Sequence, residues 1–310
     1  MELANNNIKL TKKVKIQKPF LKWVGGKTQI INNILERIPK EMNNYHELFL
    51  GGGSVLLAIL TLQKQKQIII KKKVYAYDIN KALINVYKHI QNDKDKVYKY
   101  IQSYLKIYDK LTGTEVNRKP KTLTEAKTSK ESYYYWLRSK YNTKEISYKR
   151  SALFMVLNKL CFRGMYREGP NGFNVPFGHY KKTPEIISKS ELDKISELIK
   201  DVEFIHSGFS QSVQKIKKGD FVYLDPPYAP EDKKSFVGYV AGGFNLDLHL
   251  KLFDEIKNLH KKKIKFAMSN AKVKLVTDAF KDFNCKNIVA RRAINSKNPG
   301  SKTMEVIIYN

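Results

Sequence analysis

Long apolar runs, cysteine and acidic charge are what this chain has least of. No stretch approaches the ~20 apolar residues that a membrane-spanning helix needs, and the aliphatic run Ile68-Ile69-Ile70 meets three lysines at once. Residues 1–18 are polar and lysine-rich and lack the apolar segment of a signal peptide. They read as a flexible leader, and the chain as cytoplasmic. Cys161 and Cys285 lie far apart at no ligand spacing, which argues against a disulfide framework and against zinc, and both are expected reduced. No Ser/His/Asp arrangement stands out; His206, His249 and His260 read as ordinary core or surface residues, and no metal site is expected. Acids are scarce, with 29 Asp+Glu against 58 Lys+Arg and a formal charge of +29 spread along the chain. A polyanion is the natural partner of such a surface, unless the excess merely reflects a Lys-, Asn- and Ile-rich composition; clustering separates the two readings.

The 310 residues, 42% of them hydrophobic, suffice for one large domain with an appended lobe, or for two domains. The most informative stretch is Asp225-Pro226-Pro227-Tyr228, directly after the apolar run Phe221-Val222-Tyr223-Leu224. Neither proline has an N–H, so the chain leaves the strand there with fixed φ. In an α/β domain the carboxyl end of a strand is where ligands bind. A planar aminated ring could place its N–H groups on the Asp225 carboxylate and the Pro226 carbonyl, with Tyr228 stacked on its face. Adenine fits that description.

Upstream, Lys22-Trp23-Val24-Gly25-Gly26-Lys27 is a glycine-rich loop feeding a helical pattern of Ile30, Ile31, Ile34, Leu35 and Ile38. A phosphate-loop reading fails, because the position five before Gly26 is Leu21; Lys27 could instead hold a carboxylate. Residues 45–50 read as a buried strand, Gly51-Gly52-Gly53 as a turn, Ser54 as the N-cap of a helix to Leu62, and residues 74–77 as a strand ending in Asp78. The glycines precede Asp78 by about 25 residues, a spacing at which the turn and a strand-end acid jointly hold a nucleoside. Residues 92–150 look like a loop-rich insertion, polar above all at 112–130, and residues 151–160 like a buried helix. Residues 161–177 suggest a hairpin whose Arg163, Tyr166, Arg167 and Asn174 suit base reading as well as they suit a solvated basic turn. A helix near 190–200, strands at 203–206, 221–224 and 265–268, a helix at 246–259 and an antiparallel pair at 286–290 and 304–309 complete the pattern.

Taken together, four stretches in this order, Phe20 to Lys27, Phe49 to Gly53, Cys161 to Gly178 and Asp225 to Tyr228, resemble the Dam-like, α-type DNA adenine N6-methyltransferases. The resemblance covers nearly the whole chain. It implies a Rossmann-like, S-adenosylmethionine-dependent α/β methyltransferase sheet, assigned to residues 19–91 and 201–310. An inserted, mainly helical DNA-recognition lobe carrying a β-hairpin is assigned to 92–200. By position, Trp23, Lys27, Phe49, Asp78 and Asp225 match contacts to S-adenosylmethionine. Asp225, Pro226 and Tyr228 match the groups that hold a flipped adenine, and Lys22 and the hairpin residues match DNA contacts. The stretch between Leu160 and Phe173 is longer than in the enteric bacterial enzymes. The expected partner is double-stranded DNA with a short palindromic site, GATC first and CATG next, and a companion restriction endonuclease is a further expectation. The rival readings are an RNA or protein-amide methyltransferase and a DNA-binding relative without catalysis.

Overall fold

The apolar runs at 74–77, 202–205 and 221–224 are too short for helices and are bounded by turn formers, so they pair as strands. The computed structural model describes residues 7–8, 15–143, 145–230, 243–291 and 302–310. It divides into two compact units: one of residues 1–18, 27–79 and 201–310, the other of 19–26 and 80–200.

The first unit is built on a seven-stranded sheet. Its strands are β1 (Tyr45–Glu47), β2 (Val74–Asp78), β3 (Val202–His206), β4 (Phe221–Leu224), β5 (Lys265–Ala271), β6 (Asn284–Arg291) and β7 (Lys302–Tyr309), in the spatial order β6-β7-β5-β4-β1-β2-β3. β1 to β5 are mutually parallel, while β7 runs antiparallel to both β5 and β6. The strand order reverses between β1 and β4, so a crevice opens at their carboxyl ends. Val222, Leu224, Phe266 and Met268 join Leu252, Phe253 and Ile256 of the helix Leu246–Lys261 in one buried core. The helix Ser54–Lys64 is buried along nine consecutive residues, as expected of a helix apolar on every side.

Two local expectations are corrected here. Ser54 is not a cap: Gly53 holds that position at φ 69° with no side-chain bond, and Ser54 is the first helical residue. β1 ends at Glu47, although Leu48 N still donates to Tyr223 O (3.1 Å) and Leu50 N to Tyr77 O (2.8 Å). Most of the leader lies outside the described residues.

The second unit is mainly helical, with helices Lys81–Tyr108, Leu123–Ala126, Lys130–Tyr141, Tyr148–Leu160 and Lys189–Ile199. Each starts at a side-chain cap: Asn80, Thr122, Ser129, Ser147 and Ser188 accept the backbone N–H three residues on. Such a cap contributes about 1 kcal/mol. The first helix breaks at Asp93, whose Oδ1 accepts from Lys96 N at 2.9 Å, so an internal cap restarts the helix close to residue 92. The loop-rich expectation for 92–150 holds for 109–122 and for the short connections between helices, but fails where the helices Lys81–Tyr108, Leu123–Ala126, Lys130–Tyr141 and Tyr148–Leu160 run. Tyr133, Tyr134, Leu137 and Tyr141 are buried, so the tyrosines that made this segment read as polar form its apolar face. The hairpin forms from Glu168–Gly169 and Gly172–Phe173. Gly172 sits at φ 88°, and a Cβ there would lie 2.7 Å from Asn142 Oδ1. That oxygen accepts from Phe173 N (2.9 Å) while Asn142 Nδ2 donates to Phe173 O (3.0 Å), clamping the hairpin to the helix Lys130–Tyr141.

Candidate active site

Three predicted residues come together because their strands are neighbours. β2, β1 and β4 are adjacent and parallel, so Asp78, the glycine turn after β1 and Asp225 after β4 all emerge at the carboxyl edge. Asp78 Oδ2 accepts from Gly51 N at 2.9 Å, so the strand-end acid and the glycine turn are one structure. Gly51 and Gly53 both adopt positive φ, at 51° and 69°, which keeps side chains out of this turn. Phe49 is half-buried, stacked on Phe209 with centroids 6.0 Å apart. Ile79, next to Asp78, is 56% exposed, an apolar surface at the rim that sequence reasoning passed over.

At β4, Lys27 Nζ lies 2.6 Å from Asp225 Oδ2. Lys27 is buried, which answers the failed phosphate-loop reading: the lysine of Gly-Gly-Lys serves a carboxylate. Asp225 Oδ1 is buried with no hydrogen-bond partner. Burial pushes the Asp225 carboxyl up to about 6, against the opposing pull of Lys27, with Glu305 adding a smaller push upward. A buried acceptor left open costs about 1–3 kcal/mol, so one at a strand end calls for an explanation. Tyr228 is part-buried; its hydroxyl donates to Glu305 Oε2 at 2.8 Å, and Lys27 Nζ lies 4.9 Å from its ring centroid. Pro226 is buried between them in sequence.

Two further polar groups here escaped sequence reading. Glu47, the last residue of β1, is 2% exposed and accepts from Tyr45 Oη at 2.7 Å. Burial raises its carboxyl to about 8, against the opposing pull of the Tyr45 hydrogen bond, with Asp225 adding a smaller push upward. Asn270 of β5 is fully buried; its Oδ1 accepts from Ala229 N (3.1 Å) and Ala271 N (2.8 Å), and its Nδ2 has no partner.

The remaining predicted residues lie in the helical unit. Trp23 stacks on Tyr166 (5.5 Å) and Phe154 (6.2 Å). Tyr166 also shares its hydroxyl with Tyr141 and donates to Glu168. Lys22 is anchored through its backbone by Asn158, which accepts from Lys22 N (2.8 Å) and donates to Lys22 O (2.7 Å). Its ammonium meets Tyr180 Oη at 3.3 Å. Arg167 Nε donates to Asn174 Oδ1 at 2.7 Å across the hairpin, and both residues are exposed. Arg163 is exposed at φ 55°, its guanidinium 5.2 Å from the Phe162 ring. No cluster of three or more potential metal ligands occurs among the described residues, and no helix among them is long and apolar enough to cross a membrane.

The profile of the D12 class N6 adenine-specific DNA methyltransferases matches residues 23–294. The chain belongs to this family. It is 35% identical to the Type II methyltransferase M.MjaIII of Methanocaldococcus jannaschii, across 94% of this chain and 99% of that one. Over 94% of the chain it is 31% identical to the Type II methyltransferase M1.LlaDCHI of Lactococcus lactis subsp. cremoris, covering 95% of the latter. With the DNA adenine methylase of Haemophilus influenzae it shares 30% identity, over 91% of this chain and 89% of that protein. This adenine-specific DNA methyltransferase therefore acts on DNA, and enzymes of its family generally use S-adenosylmethionine. The carboxyl edge fits such a cofactor: a positive-φ glycine turn bonded to Asp78 and an exposed Ile79 beside it suit a nucleoside.

Proposed function

We propose that this methyltransferase transfers a methyl group from S-adenosylmethionine to N6 of an adenine flipped out of duplex DNA, within a short palindromic site, GATC first and CATG next. The observation that carries the reading is Asp225: a strand-end carboxylate with one oxygen held by Lys27 and the other buried and open. When bound, S-adenosylmethionine supplies an activated methyl on a sulfonium. Asp78 would receive its ribose hydroxyls, the turn at residues 51–53 would let the backbone approach, and Phe49, Lys27 and Asp225 would complete the pocket. A flipped base needs an aromatic wall and hydrogen bonds to its edge. Tyr228 is the wall, and Asp225 Oδ1 and the Pro226 carbonyl accept the two N6–H bonds. Both acceptors draw the nitrogen lone pair out of ring conjugation towards the methyl. Alignment does the rest, since the sulfonium methyl is already activated: the S–C bond would break as the N6–C bond forms, the neutral thioether would leave, and the surplus N6 proton would pass to Asp225 or to solvent.

The helical unit is the recognition lobe in this reading, with Lys22, Arg163, Tyr166, Arg167 and Asn174 facing DNA. Arg167 and Asn174 are already paired, which favours their reading a site as a unit. Two relatives bear the name Type II methyltransferase, which supports a role as the modification arm of a restriction-modification system. Purified protein, duplex DNA and methyl-labelled S-adenosylmethionine test the proposal. Label is expected on adenine N6, strongly reduced in Asp225→Ala; equal labelling by wild type and variant would overturn the role of Asp225. Sequencing methylated adenines from cells expressing the chain reads out the site.

A further inference from the structure

The opposite edge of the same sheet has no role in methyl transfer, yet it concentrates charge. β1 to β5 all start there, and their register sets Val202, Val74, Tyr45, Phe221 and Lys265 in one row. Lysine runs lead into that row: 71–73 before β2, 217–218 before β4 and 261–263 before β5, all exposed. Lys71 pairs with Glu41 at 3.0 Å and Lys73 pairs with Glu203. Among the described residues no carboxylate lies within ion-pair distance of Lys72, Lys217, Lys218, Lys262 or Lys263.

Helix ends do not account for them. The helices Ser54–Lys64 and Leu246–Lys261 end near this edge, and each carboxyl end carries a partial charge of about −0.5, so together they balance about one lysine. The surface is also built stiffly. Lys72 N donates to Asn43 O (2.8 Å), Lys73 N to Asn44 Oδ1 (3.1 Å) and Asn43 N to Gly219 O (2.8 Å). Asn44 Nδ2 donates to Asp220 Oδ1 (2.8 Å), while the other Asp220 oxygen accepts from Lys217 N (2.9 Å). Asp220 is 3% exposed, so this network ties two lysine runs to the core. From β2 to β5 is three strand spacings, ~14 Å, and that length of duplex axis presents about eight phosphate charges.

We infer that this lysine edge binds a second segment of duplex DNA through its phosphates, without reading bases, while the carboxyl edge handles the target adenine. The asparagines that could read base edges are committed to the backbone network, which leaves ammonium groups as the contacts. On long DNA the enzyme holds two segments at once.

The test is the triple variant Lys72→Ser, Lys218→Ser, Lys262→Ser in the full chain, at exposed positions outside the methyl-transfer site. On plasmid-length DNA without target sites, the slope of log affinity against log salt is expected to flatten by up to about 2.7, at 0.9 per lost phosphate contact. Single-turnover methylation of a short duplex with one site is expected to stay unchanged. An immobilised duplex should capture a second labelled duplex through wild type and not through the variant, a readout independent of catalysis. An unchanged slope would overturn the inference and leave a solvated edge. Equal losses on short and long DNA would reduce it to the general field of the +29 charge. Preference of the edge for single-stranded RNA over duplex DNA would also overturn it.

Discussion

The two ends of the five parallel strands have opposite chemistry. At the carboxyl edge Glu47, Asp78 and Asp225 are withdrawn from water to different degrees, and Asp225 Oδ1 and Asn270 Nδ2 are left open. At the amino edge Asn43, Asn44 and Asp220 tie the backbone together, and the lysines stand in solvent. The difference teaches where binding strength is stored. Buried, unsatisfied groups make a small site selective, because a ligand must replace the missing partners. Exposed lysines make a surface adhesive and salt-sensitive without selectivity.

The comparison breaks most readily at Asp225. Asp225→Asn keeps the shape but loses one strong acceptor, and methyl transfer is expected to fall by about 10²–10³-fold in single-turnover assays, with the melting temperature little changed. If activity survives, the carboxyl edge is not the reacting site. Glu47→Gln probes stability instead. The folded carboxyl is raised above its unfolded value of about 4.3, so its contribution is fully present below that pH and is lost as pH rises through about 8. The variant has no such loss. Its advantage in chemical denaturation is expected to grow between pH 5 and pH 9 to the order of a few kcal/mol.

The pH profile of kcat/KM sharpens the contrast further. In the proposed mechanism an ionised Asp225 accepts the amine, so the acid limb is expected near pH 6. Lys27→Met removes the cation that pulls this value down, and the limb should move upward by about one unit or more; an unmoved limb would assign it to another group. Asn142→Ala frees the hairpin at a cost of about 1–2 kcal/mol, and discrimination between the target and single-mismatch sites should weaken more than turnover does. The smallest effect belongs to the amino edge, where the triple lysine variant should shift stability by no more than about 0.5 kcal/mol while altering salt dependence.

Much of the fold was legible because its signals are local. The runs at 74–77 and 221–224, the Gly51-Gly52-Gly53 turn and the strand-end acids Asp78 and Asp225 are all read from adjacent residues. Residues 130–141 misled because tyrosine is polar in composition yet apolar in packing: Tyr133, Tyr134 and Tyr141 are buried. Glu47 and Asn270 gave no signal, since a single polar residue in a strand normally faces water. Their burial arises because β1 and β5 lie inside the sheet, with strands on both sides. The stack of Tyr166 on Trp23 spans 143 positions of sequence and could not be seen locally.

By itself the sequence determined which chemical groups end the strands, the order of the motifs and the excess of positive charge, because these follow from residue identity and short-range backbone preference. Only the tertiary structure decided that Lys27 meets Asp225, that burial raises the Glu47 carboxyl and that three separate lysine runs share one edge. Those outcomes depend on strand register and desolvation, which are set by neighbours far away in the chain.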